Sequence, residues 1–226
     1  MANADPIASQ PAAAAPTPQA RTLEAVHADK RLMVHMIPGL PKDAKGAWEF
    51  DFRLFADPNG YRVCSLALLR KGRTLYATYG VFASVGDDEI LALSPNDLGA
   101  NATKKAVVSQ NLNGDALVTT VRGELEKTHG GEMGRTVAEY DELDKHVKRK
   151  TPNNELIANL KLKHMIGICV YKEAAFTART RPNMAKEQAT VQANVALIQA
   201  LVKQTGKDLP VRVYSSETNL LEHLPK

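Results

Sequence analysis

Cysteine is scarce in this chain, and long apolar runs are missing. The two cysteines, Cys64 and Cys169, lie far apart in strand-like apolar runs, RVCSLALL and MIGICVY. That context suits buried free thiols, because a disulfide framework or a zinc site needs closer spacing and more ligands. No apolar run approaches the length that spans a bilayer. The opening residues MANADPIASQ lack the basic start and apolar core of a secretory signal, so a soluble, cytoplasmic chain without a membrane partner is expected. The six histidines show no HExxH or HxxxH spacing, which argues against a metal centre. There is no Gly-x-Ser-x-Gly elbow. The glycine-rich stretch from His129 to Thr136 has histidine and arginine where a phosphate-binding loop needs glycine and lysine, so it reads as a capping turn.

What remains is ordinary globular material. Of 226 residues, 44% are hydrophobic and 24% charged, enough for one sizeable core. Residues 1–22 form an Ala/Pro-rich tail with four prolines and no large apolar residue after Ile7, the composition of a disordered arm. Residues 23–44 read as a short helix and linker, the helix extending over 21–36 on Leu23, Val26 and Leu32. Residues 45–226 read as one α/β domain with a helical, basic insertion at about 84–164.

Within that domain, 48–55 alternates Trp48, Phe50, Phe52 and Leu54 against polar neighbours, a strand period. Asp57-Pro58-Asn59-Gly60 is turn chemistry. Strands over 62–69 and 74–82, joined at Arg70-Lys71-Gly72-Arg73, complete an expected antiparallel meander. Residues 103–111 suit a short helix, 117–126 fits strand or helix, and helices are expected over 133–150 and 154–161. A buried strand follows at 165–171. The longest helix spans 187–204, with one apolar face of Ala189, Ala193, Ala196, Leu197, Ala200 and Leu201 and a second of Val191, Val195, Ile198 and Val202, so packing on a sheet is expected, with alanine allowing close approach. A strand over 211–214 and a helical turn over 218–224 end the chain. The expected sheet is mixed but mostly antiparallel, with helices on its faces.

Charge is uneven although the net value is only +4. Between Lys145 and Lys163 stand six basic residues (Lys145, Lys148, Arg149, Lys150, Lys161, Lys163) and one acid, Glu155; Arg179 and Arg181 follow. Such a segment suits nucleic acid, because each neutralised phosphate releases counterions.

The order of elements also resembles the ribonuclease H-like superfamily over about residues 48–83 and 185–224. Asp57 ends the first strand in RLFADPNG, Glu187 opens a helix, and VRVYSSE places Ser216 or Glu217 at the next acidic ligand. The resemblance implies divalent-metal phosphoryl transfer by Asp57, Glu187 and Glu217, with magnesium as the only cofactor. With Ser216 in register, it implies a degenerate site. Three functions stay open: a non-catalytic nucleic-acid-associated protein, a metal-dependent nuclease, and a self-associating coat or nucleoprotein subunit.

Overall fold

The computed structural model describes residues 21–38, 52, 56–57, 63–99, 114–176 and 184–225. The tail over 1–20, the turn residues 58–60 and the expected helix over 103–111 lie outside them. Among the described residues, no helix is long and apolar enough to cross a membrane.

Eight strands form one mixed sheet: β1 Met33–Ile37, β2 Val63–Leu68, β3 Tyr79–Ala83, β4 Ile90–Ser94, β5 Glu155–Asn159, β6 Met165–Tyr171, β7 Val211–Ser215 and β8 Leu220–Glu222. Their spatial order is β4-β5-β2-β1-β3-β6-β7-β8. Every neighbouring pair is antiparallel except β6 and β7. A parallel pair needs a long crossover. The helix Met184–Lys203 lies within it, preceded by the single turn Lys172–Ala175.

Alternation along the strands distributes the helices. Met33, Ile37, Val81, Ile168, Val170 and Val213 share one cluster with Val191, Val195, Ile198 and Val202 of helix Met184–Lys203. Val34, Met36, Phe82, Cys169 and Tyr214 point into a second cluster with Leu23 and Val26 of helix Leu23–Ala28. That is the two-residue period of a strand covered on both sides. Leu117, Val121 and Leu125 of helix Gly114–His129 bury against Val63, Ala92 and Ile157. In chain order these helices are α1 Leu23–Ala28, α2 Gly114–His129, α3 Val137–His146, α4 Lys172–Ala175 and α5 Met184–Lys203. On α5 the branched stripe packs, while Ala189, Ala193, Ala196 and Ala200 face outward. Both cysteines are buried and free.

Several expectations are corrected. The helix over 21–36 stops after Ala28, where Lys30 at φ 57° is the left-handed residue of a Schellman turn, its N–H donating to His27 and that of Arg31 to Val26. The chain then enters β1, so Met33–Ile37, within the stretch read as helix and linker, supplies a central strand. The meander is not formed as expected. β1 sits between β2 and β3, and of the expected strand 48–55 only Phe52 is described, in helical conformation. The expected helix over 154–161 is β5, paired on both sides, and β4 and β5, both within the stretch 84–164, belong to the same sheet. The expected turn of helix over 218–224 is β8, which follows a tight turn with Asn219 at φ 56°.

One surface pair ties the sheet's periphery to acid conditions. Asp87 accepts from Arg31 at 2.6 and 3.3 Å and from the Val137 N–H at 3.4 Å, the first turn of α3. The Arg31 bonds, foremost, hold the Asp87 carboxyl below its ordinary value. A depressed carboxyl contributes stability fully above its unfolded pKa and loses it as pH falls through the folded one. Asp87→Asn should therefore cost up to about 1 kcal/mol at neutral pH, the scale of a part-exposed pair. Denaturant melts across the acid range should show a shallower loss in the variant; parallel curves would refute the coupling.

Candidate nucleic-acid interface

Two basic loops meet at one end of the sheet. The first is Arg70-Lys71-Gly72-Arg73 after β2; the second is Lys148-Arg149-Lys150 after α3. Hydrogen bonds join the stretches that continue them: Thr74 N–H donates to Pro152 O at 3.1 Å, and the Arg73 side chain donates from Nη1 to Asn153 O at 3.4 Å. Asp144 clamps both. Its Oδ1 takes Arg73 Nη2 at 2.5 Å and Arg149 Nε at 3.2 Å, while Oδ2 takes Arg149 Nη2 at 2.7 Å. Arg73 is 2% exposed and is part of the scaffold; Arg149 is exposed.

The surroundings fix this arrangement. Arg70 binds Asp141 at 3.0 Å and lies 5.5 Å from the Tyr140 ring centroid, a cation–π contact. Tyr140 is buried, and burial foremost pushes its hydroxyl pKa up. The hydroxyl meets Asn154 Nδ2 at 3.0 Å. Asn154 in turn accepts from Leu68 N–H and donates to Leu68 O, carrying the β2–β5 ladder one residue beyond the strand. Gly72 N–H donates to Ser216 O at 2.8 Å, which anchors the first loop on the end of β7. Four of the six cations thus pair with three carboxylates: Arg70 with Asp141, Arg73 and Arg149 with Asp144, and Lys150 with Glu132 at 2.5 Å. Lys71 and Lys148 are exposed, with no carboxylate partner among the described residues.

The other expected binding residues scatter. Lys145 pairs with Glu142 on the exposed side of α3. Lys161 and Lys163 lie past the far end of β5, so a whole strand separates them from Lys148–Lys150; Lys163 pairs there with Glu89. The helix expected over 154–161 would have kept them near. Arg179 and Arg181 lie outside the described residues. The first loop was readable only as a turn, although its three cations in four residues are a charge signal of their own.

The carboxylates of the nuclease alternative are also placed. Asp57 is exposed, Glu187 sits half-buried in the first turn of α5, and Glu217 is exposed on the β7–β8 turn. Ser216 is buried, its Oγ 3.0 Å from the Tyr171 hydroxyl. Among the described residues no three His, Cys, Asp or Glu side chains are grouped to hold a metal ion, these three included. No protein-family model matches this sequence, and no curated protein matches it.

Proposed function

We propose that this chain binds the phosphate backbone of nucleic acid through the paired basic loops, in a positioning rather than a catalytic role. The observation that carries the reading is the convergence of Arg70–Arg73 and Lys148–Lys150 on Asp144, which doubles the cation density that one loop would offer. Ion pairing does not remove these cations from service. Arg149 and Lys150 are themselves exposed, and a pair with an exposed cation is worth about 0–1 kcal/mol, so exchange onto phosphate costs little. Arg73 differs: it is buried and holds the loop in shape. Long cationic chains on phosphate give affinity without sequence reading.

The salt dependence of binding tests this. Replacing Lys148, Arg149 and Lys150 together with alanine should flatten the log–log salt slope on duplex DNA by roughly 2–3, at about 0.9 per lost phosphate contact. Lys71→Ala, on the other loop, should remove roughly one more. Replacing Lys161 and Lys163 should leave the slope unchanged, because they stand at the opposite end of β5. Fluorescence anisotropy across a salt titration reads all three. A parent protein that fails to bind at low salt, or a triple variant with the parent's slope, would reduce the loops to a solvated surface.

A further inference from the structure

A cleft of about 400 Å³ opens beside the basic loops, within the range of roughly 300–1,000 Å³ for small-ligand pockets. It lies against β2 and the start of β5: Ser65, Leu66 and Ala67 line one side, Asn153, Asn154 and Glu155 another. The walls divide by chemistry. Leu66 and Leu75 are apolar and buried; Asp97, Asn153 and Glu155 are polar. Tyr76, 60% exposed, stands on the lining with its hydroxyl donated to Met36 O at 2.7 Å.

The polar wall is built to accept. Asp97 Oδ1 takes the Gly99 N–H at 2.8 Å and Oδ2 takes Asn153 Nδ2 at 3.2 Å, which orients the carboxylate. Glu155 hydrogen-bonds the same carboxylate, so Asp97 and Glu155 accept as a pair. Burial opposes ionisation, but the Gly99 N–H and the bonds from Glu155 and Asn153 outweigh it and hold the Asp97 carboxyl below its ordinary value. A ligand for this wall must present adjacent donors, and one for Tyr76 must present a flat face. Asn153 also joins the cleft to the interface, since its carbonyl takes Arg73 and its neighbour Pro152 takes Thr74 N–H.

We infer that the cleft receives an unpaired guanine base of a strand whose phosphates lie on the basic loops. Guanine presents N1–H and N2–H side by side on its Watson–Crick edge, two adjacent donors for the acceptor positions left on the Asp97–Glu155 pair. Single-stranded recognition commonly combines such edge contacts with stacking on an aromatic ring. Asp97 takes the edge and Tyr76 the face. The inference rests on the phosphate-binding reading and adds to it a base preference and a preference for single strands.

The test uses the full chain and three labelled thymine strands, carrying one central guanine, one central inosine or neither. Guanine should bind roughly tenfold tighter than thymine, the scale of one bidentate base contact. Inosine, which lacks the N2 amino group, should fall between. Asp97→Asn should erase the preference while keeping the salt slope. Tyr76→Ala should weaken the guanine strand roughly tenfold, and Tyr76→Phe should restore it. Thymine binding with no guanine preference would overturn the inference and leave backbone binding standing. No binding to any strand would overturn both. Guanosine monophosphate that binds the parent as tightly as the guanine strand, and loses that binding in Asp97→Asn, would support base recognition and identify the source as a free nucleotide.

Discussion

Replacing Asp144 with alanine should destabilise the protein by about 3–5 kcal/mol, the cost of leaving one member of a buried ion pair alone. Arg73 is 2% exposed, and Asp144 is its only carboxylate partner among the described residues. Its Nε already lacks a partner, and its second contact, to Asn153 O, is 3.4 Å long. Without Asp144 the guanidinium keeps that one weak bond in a dry site, where an unpaired charge is expensive. In a chain of this size the loss corresponds to a melting temperature lower by roughly 6–20 °C. The converse variant separates charge from packing. Arg73→Met combined with Asp144→Leu should regain most of the loss, because apolar replacement of both partners removes the desolvation penalty along with the attraction. An Asp144→Ala protein that melts like the parent would show that water reaches Arg73.

That clamp explains why the interface was half legible from sequence. Lys148-Arg149-Lys150 announces itself by charge density. Arg70-Lys71-Gly72-Arg73 carries the same density but sits in turn chemistry, where Gly72 at φ 74° fits a turn reading and draws attention from the cations. Nothing local connects the two loops. Their junction depends on Asp144 at the end of α3 and on the β2–β5 pairing, contacts spanning about seventy residues or more. The cleft was hidden for the same reason: its lining comes from β2, from Thr74–Tyr76, from Asp97 and from Asn153–Glu155, segments that only the fold brings together.

The fold shows the same division. β2, β6, β7 and α5 were readable because each carries a full period of its own pattern, long enough to exclude the alternative. β1, β5 and β8 were not. Met33–Ile37 and Glu155–Asn159 are five residues each, the first interrupted by His35 and the second apolar only over its middle three, and a run that short fits a buried strand or a turn of helix equally well. Pairing on both edges decides in favour of strand. Lys30 ends α1 in a left-handed conformation that glycine or asparagine usually signals, so the boundary left no mark. β8 had its mark in Asn219, a residue tolerant of positive φ, but only three strand residues follow it.

A close backbone approach at Gly80, within the sheet, gives the second large effect. Gly80 on β3 faces Met36 on β1, and a methyl group at Gly80 would lie 2.5 Å from His35 O, 2.9 Å from Met36 Sδ and 3.1 Å from Met36 Cα. The sulfur sits on a flexible chain and can swing away. The carbonyl oxygen and Cα belong to a central strand held by β3 across five residue pairs and by β2 on its other edge, so they move only if the ladder moves. Overpacking of this kind costs about 1–3 kcal/mol where neighbours can yield, and more where they cannot. Gly80→Ala should therefore destabilise by roughly 3 kcal/mol, at the upper end of that range because the obstacle is backbone. Hydrogen exchange should localise the damage to β1 and β3, leaving the β6–β7 pair protected. Unchanged exchange at Val34, His35 and Val81, with a melting temperature equal to the parent's, would show that the two central strands stand farther apart than 2.5 Å allows.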